Sequence, residues 1–258
     1  MGFLTEKISE VRRALEAHPL DEAALMSRVA AMPPARPFAE SLSPRQMAII
    51  AEVKRSSPSV GRIAEADPAA LAGTYEAAGA AAISVLTEER HFGGSLSDLW
   101  AVHLATRAAP VLRKDFLVHP GQVIEARANG ADAVLLIAAC LGLAELEAMI
   151  GVADDLGLGV LLETHSDEDM SKALATGAPV IGVNSRDLET LEVDETRALA
   201  SLRRVPSDRI AVFESGVSSR AQVERAQEAG ASVVLVGEAL MRAADPAAKI
   251  GELLGAET

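Results

Sequence analysis

The sequence predicts a (β/α)8 barrel, and three observations predict it. Eight short apolar stretches recur at intervals of about 20 to 35 residues from Ala48 onward. Ala-, Glu- and Arg-rich segments with helical spacing separate them. Charged or amide residues stand at the carboxyl end of nearly every stretch. Near-continuous apolar strands alternating with helices describe a parallel sheet covered on its outer face, and eight such units in about 210 residues close into a barrel. An open doubly wound sheet is the alternative. It usually carries fewer strands and a Gly-rich first turn, and no G-x-G-x-x-G follows the first stretch here.

Taken in order, the chain begins with Leu4, Ile8, Val11 and Leu15 at steps of four, three and four, an amphipathic helix ended by Pro19. Asp21 is placed to cap a second helix running to about Met32, after which Pro33, Pro34 and Pro37 break the pattern. Residues 1–47 are too few for a core of their own and form a helical extension packed on the barrel, residues 48–258. The predicted strands are Ala48–Lys54, Ala81–Leu86, Pro110–Lys114, Asp132–Ile137, Gly159–Glu163, Val180–Asn184, Ile210–Glu214 and Ser232–Gly237. Pro68–Ala78, Gly121–Ala128 and Ala221–Ala229 carry helical spacing between them. Gly79, Gly130 and Gly230 stand where a helix ends and the chain turns back.

Composition narrows the function. The 258 residues carry 24 basic against 37 acidic side chains, a net charge of −13, which argues against a basic surface for nucleic acid. With five Phe, one Trp and one Tyr, platforms for stacking bases are also not expected. An anionic small molecule remains compatible, provided that Lys, Arg or amide donors are gathered locally. One cysteine, Cys140, suits a reducing compartment and reads as a packing residue, since no His is placed to activate it. His91, His103, His119 and His165 show no ligand spacing, so neither a metal nor a cofactor is expected. No signal pattern opens the chain and no apolar run reaches the roughly 20 residues that span a bilayer. A soluble cytoplasmic protein with no membrane partner is the expectation.

In a barrel of this kind, catalytic groups lie at the carboxyl ends of the strands. Those positions hold Glu52 and Lys54, Lys114 with Asp115, Glu163, Asn184 with Arg186, Glu214 with Ser215, and Gly237 with Glu238. Singly, each is as well explained by a solvated loop charge or a rim salt bridge. Jointly they are not, because gathering so many charges in one mouth is costly without a use. Glu52 and Lys54 stand two residues apart, on one side of an extended chain. Two lysines among glutamates suit acid–base catalysis, with a partly desolvated lysine shifted down by neighbouring cations. A Schiff base between a lysine and a carbonyl substrate is the open alternative. After the last two strands, Ser215-Gly216 and Gly237-Glu238 each place a glycine before a helical start, where free amides would hold a phosphate. The plainer reading is that these glycines merely make tight turns.

These motifs resemble the indole-3-glycerol-phosphate synthase family over essentially the whole chain. The stretches that carry the likeness are AEVKRSSPS (51–59), HFGGS (91–95), VLRKDF (111–116), LLETH (161–165), IGVNSRDL (181–188), ESGV (214–217) and VGEALMR (236–242). The resemblance implies ring closure of 1-(2-carboxyphenylamino)-1-deoxyribulose 5-phosphate to indole-3-glycerol phosphate, with loss of carbon dioxide and water, in tryptophan biosynthesis. It implies Lys114 as general acid and Glu163 as general base, with Glu52 and Asn184 orienting the lysines and the substrate. Lys54 is implied near the substrate carboxylate or phosphate, and the division of the acid role between it and Lys114 stays open. Arg186, Glu214, Ser215, Phe92, Phe116 and Ser57 are implied as substrate contacts, and Ser57, Gly216, Gly237 and Glu238 as the phosphate cradle. Pro34, Arg36 and Phe38 are expected to cover the aryl end. Ser56, Gly121 and Thr164 depart from the usual family residues.

Two other functions fit the residues less well. A sugar-phosphate isomerase on the same fold would be expected to use a Cys/Asp pair, and here the cysteine follows strand four. A non-catalytic barrel has no reason to keep Lys54, Lys114, Glu163 and Asn184 together. No long apolar seam is evident, so a monomer is expected.

Overall fold

The computed structural model describes residues 2–43, 47–54, 56–57, 61–62 and 66–256. Eight strands form the barrel: β1 (Ala48–Val53), β2 (Ala82–Leu86), β3 (Val111–Lys114) and β4 (Ala133–Ile137), then β5 (Gly159–Thr164), β6 (Val180–Asn184), β7 (Ile210–Glu214) and β8 (Val233–Val236). They pair in sequence order and all in parallel, and the sheet closes where Ala51 of β1 pairs with Val236 of β8. Each predicted strand is present, within one residue at either end. A short antiparallel ladder of Ser56–Ser57 with Gly61–Arg62 stands apart from the barrel.

Among the described residues three helices precede the barrel: α1 (Phe3–Ala17), α2 (Glu22–Val29) and α3 (Phe38–Ser41). The next five are α4 (Pro68–Ala77), α5 (Glu89–Phe92), α6 (Leu96–Ala105), α7 (Pro120–Ala128) and α8 (Leu143–Asp155). The rest are α9 (Asp167–Ala175), α10 (Glu195–Leu202), α11 (Arg220–Glu228), α12 (Glu238–Arg242) and α13 (Pro246–Leu254). Gly79, Gly130 and Gly230 all take left-handed backbone angles, φ +90°, +92° and +107°, where the chain turns from a helix back to a strand.

Alternation along the strands decides what faces the axis. Ile49, Ala51 and Val53 join the core between sheet and helices, whereas Ala48 and Ile50 face the barrel interior. The same phase turns Leu112, Leu161, Val180, Val212 and Leu235 inward, each buried, and each worth roughly 1.5 to 3 kcal/mol of burial. One step further along each strand, two residues on, the inward position is Glu52, Lys114, Glu163, Gly182, Glu214 or Gly237. The apolar layers therefore end in a charged one at the carboxyl end of the barrel.

The N-terminal segment touches the barrel at both ends. Across the mouth, α1 is tied by Lys7 to Glu88 at 2.6 Å, by Arg12 to Glu145 at 3.0 Å, and by the Thr5 hydroxyl donating to Glu189 at 2.7 Å. Asp21 caps α2 by accepting from the Ala24 amide. The helix stops at Val29, short of Met32. There the amides of Ala31 and Met32 bond three residues back, a tightened last turn before two prolines that cannot donate. The chain then passes to the opposite end. Phe38 and Leu42 are buried against the barrel floor, so close that a Cβ on Gly159, the first residue of β5, would lie 2.5 Å from that of Phe38.

This corrects the expectation for Pro34, Arg36 and Phe38. Arg36 and Phe38 close the amino-terminal end of the barrel and not the aryl end of a substrate, and Pro34 beside them is exposed. Arg36 pairs with Asp132, just ahead of β4, at 2.9 Å and donates to the carbonyls of Thr106 and Ala109 ahead of β3. A guanidinium with five donors is satisfied by that ring of acceptors, and nothing at the mouth competes for it.

Candidate active site

The carboxyl ends of the strands surround a cavity of about 380 Å³. Its lining includes Glu52, Lys54, Lys114, Glu163, Asn184 and Glu214. Arg186, Phe92, Phe116, Ser215, Gly216, Gly237 and Glu238 also border it. Residues spread from β1 to α12 thus share one space. Ser57 is the exception among the sequence-predicted positions, because its side chain lies outside the described part of the structure.

Lys114 is the centre of charge. Its Nζ lies 3.2 Å from Oε2 of Glu163 and 3.8 Å from Oε2 of Glu214. Burial alone would lower its pKa, but the carboxylates of Glu163, Glu214 and Glu52 hold it above the ordinary lysine value. The expected downward shift by neighbouring cations is therefore overturned. The neighbours are carboxylates, which favour the ammonium. Lys54 forms its own pair with Glu52 at 2.9 Å, the i,i+2 contact that an extended strand end allows.

The two glutamates beside Lys114 differ. Burial pushes both carboxyls up, and in Glu163 the Lys114 ammonium and the His165 ring outweigh it, so that its pKa falls below the ordinary value. Glu214 has only the more distant lysine contact and faces the charge of Glu163, and its pKa is raised well above the ordinary value. Two carboxyls side by side, one shifted down and the other up, suit a base held next to a weaker acid that can hydrogen-bond to it.

Two glycines make room for these carboxylates. A Cβ on Gly182 would come within 2.0 Å of Oε1 of Glu214, and one on Gly237 within 2.4 Å of Oε1 of Glu52. Gly237 has φ −120°, so close approach and not a turn requires it. After β7 the backbone does turn sharply, with Ser215 at φ +68° and Gly216 at φ +74°. The Ser185 hydroxyl donates to the Ser215 carbonyl at 3.1 Å and holds that turn. Asn184 accepts from the Arg186 amide at 3.0 Å, and the Arg186 guanidinium donates to the Leu191 carbonyl at 2.8 Å.

Sequence reasoning missed two residues. Phe3 of α1 borders the cavity, and its ring meets those of His91 at 5.1 Å and Phe116 at 6.1 Å, while Phe92 lies 6.5 Å from Phe116. A phenylalanine in an amphipathic N-terminal helix carries no signal of this role. His165 lies behind Glu163, with Nε2 3.1 Å from Oε1. Its spacing of two from a strand-end glutamate is the same as that of Glu52 and Lys54 and was available as a signal. Among the departures, Ser56 donates to the His91 carbonyl and Thr164 to the Gly182 carbonyl, both local braces. Among the described residues no cluster of His, Cys, Asp and Glu could hold a metal ion.

The model of one family, indole-3-glycerol phosphate synthase, matches residues 3–253. The chain belongs to the indole-3-glycerol phosphate synthase family. An indole-3-glycerol phosphate synthase from Micrococcus luteus is 48% identical over 254 residues, covering 95% of this chain and 94% of that one. One from Parafrankia sp. is 46% identical and covers 100% of this chain and 97% of its own length. Among solved structures, a 3-hexulose-6-phosphate synthase superposes with a TM-score of 0.64 at 22% identity, over 82% of this chain and 100% of that one. That likeness shows the barrel alone; the sequence relatives place the chain among the indole-3-glycerol phosphate synthases. No helix among the described residues is long and apolar enough to cross a membrane.

Proposed function

We propose that the chain closes the indole ring of 1-(2-carboxyphenylamino)-1-deoxyribulose 5-phosphate, releasing carbon dioxide and water and giving indole-3-glycerol phosphate. The observation that carries this is Lys114, a charged acid among carboxylates, in a cavity walled on one side by Phe3, Phe92 and Phe116 and on another by the Ser215-Gly216 and Gly237-Glu238 turns.

In the first step the ring carbon bearing the carboxylate attacks the ketose carbonyl carbon. The carbonyl oxygen takes a proton from Lys114, so that charge developing on it meets a nearby ammonium. Loss of carbon dioxide then returns the electrons of the carbon–carboxylate bond to the aromatic ring. In the dehydration the new hydroxyl leaves as water with a proton from a lysine. Glu163 takes the proton lost from the ring methylene beside nitrogen, which is why it must be ionised at rest. Glu52 holds Lys54, and Asn184 and Arg186 contact the substrate. Backbone amides of Gly216, Gly237 and Glu238 together with Ser57 receive the phosphate, and Phe92 and Phe116 pack on the aryl ring.

We read the chain as cytoplasmic, and as a monomer because the large apolar side chains exposed among the described residues (Met26, Trp100, Leu104, Leu143 and Val193) are spread over α2, α6, α8 and the loop before α10. Incubation of the purified chain with the carboxyphenylamino substrate, followed by indole fluorescence, tests the activity. A fluorescence rise is expected, and its absence from folded protein would remove the proposal.

A further inference from the structure

Three buried carboxyls lie in this site; Glu52 is taken up by Lys54 at 2.9 Å, and the reaction proposed above needs one of the other two as a base. Glu163 and Glu214 are each 1% exposed, and Lys114 reaches both. What separates them is a second basic group on one side only. Oε2 of Glu163 takes Lys114, while Oε1 faces Nε2 of His165 at 3.1 Å. Glu214 meets no basic group besides Lys114, at 3.8 Å, and otherwise faces the Glu163 carboxyl.

The His165 side chain is only 10% exposed, and of its two ring nitrogens Nε2 is the one that lies against a carboxylate, at 3.1 Å from Oε1 of Glu163. The ring is held by its backbone. Its amide donates to Asp169 of α9 at 3.2 Å, and its carbonyl accepts from the Arg197 guanidinium of α10. Asp187, in the loop after β6, lies within electrostatic reach of the ring. Glu163, Asp169, Asp187 and Arg197 are thus the charged groups around it, with Lys114 and Glu214 beyond Glu163. His165 borders Glu163 from behind and is absent from the cavity lining.

We propose that His165 is a positioning residue for the base: beside Oε1 of Glu163, it fixes Glu163 and not Glu214 as the ionised member of the pair and aims Oε2 at Lys114. The inference rests on the synthase reading of the site. Without His165 the proton is shared between the two carboxyls, and the base is available only at higher pH.

The test measures kcat and KM against pH for the full chain and for His165→Asn and His165→Gln, each checked for folding by circular dichroism. Asparagine is too short to reach Oε1. It is expected to lower kcat about tenfold or more through misplacement of the base, to move the acid limb of kcat to higher pH, and to leave KM within about threefold. Glutamine, whose amide can reach, is expected to recover most of the rate. An acid limb and kcat unchanged in folded His165→Asn would overturn the inference, as would a loss that glutamine does not relieve. Should neither variant fold, carbon-13 NMR of glutamate-labelled wild type decides, with Glu163 expected ionised and Glu214 protonated at neutral pH. The reverse order would overturn it. If the wild type itself turns over no substrate, the synthase reading fails instead, which keeps the two failures distinct.

Discussion

Nζ of Lys114 lies 3.2 Å from Oε2 of Glu163, although the two residues come from strands β3 and β5 and are separated by all of β4 and its helix. An acid and a base in direct contact rest as an ion pair. A substrate must come between them before either can act, so substrate binding and activation are coupled in this site.

The asymmetry between the two buried glutamates has a direct consequence. Burial and the neighbouring Glu163 charge favour the neutral form of Glu214, which a glutamine imitates, whereas Lys114 and His165 favour the charged form of Glu163. Glu163→Gln is expected to cost at least about 100-fold in kcat, the scale of a lost general base. Glu214→Gln is expected to cost clearly less, within about tenfold. Steady-state rates of the two variants check this, and equal losses would contradict the assignment.

Gly182 is a quieter determinant. A methyl there would meet Oε1 of Glu214 at 2.0 Å, and the far end of a side chain can move where a backbone cannot. Gly182→Ala is therefore expected to fold, with an overpacking cost of about 1 to 3 kcal/mol, and to lose activity out of proportion to stability. A denaturation midpoint measured beside kcat separates the two effects.

The clasp between α1 and the barrel depends on pH. Burial alone would raise the Glu88 carboxyl, but Lys7, His91 and the His91 amide pull it from 4.5 down to about 2. The folded value is depressed, so this stabilisation is complete above about pH 4.5 and is lost as pH falls toward 2. Breaking the buried pair by Glu88→Gln is expected to cost about 3 kcal/mol and to loosen α1 at neutral pH. Hydrogen exchange over residues 3–17 measures it, and unchanged protection would count against the clasp.

The floor of the barrel gives the opposite pattern. Phe38→Ala is expected to cost about 3 to 5 kcal/mol of stability and to leave KM for the substrate unchanged, since Phe38 lies at the far end from the cavity. A raised KM with unaltered stability would restore the aryl-cover role to Phe38.

Much of this architecture was legible in the sequence because period-two alternation and strand-end position are local. Knowing that Ile50 faces inward is enough to place Glu52 in the mouth, and the same step places Lys114, Glu163 and Glu214. What was not legible depends on neighbours far along the chain. The sign of the Lys114 shift required knowing that its surroundings are Glu163, Glu214 and Glu52. Arg36 was misplaced because three prolines say where a helix stops, not to which end of a barrel the chain then runs. Phe3 and Gly182 matter only through side chains distant in sequence, against which no local pattern points.

The most direct measurement is the rate of indole-3-glycerol phosphate formation from 1-(2-carboxyphenylamino)-1-deoxyribulose 5-phosphate by the purified chain and by Lys114→Ala. The account predicts turnover by the wild type and a loss of at least about 100-fold on removing the acid. A folded wild type that forms no product, or a Lys114→Ala variant that forms it at the full rate, would contradict it.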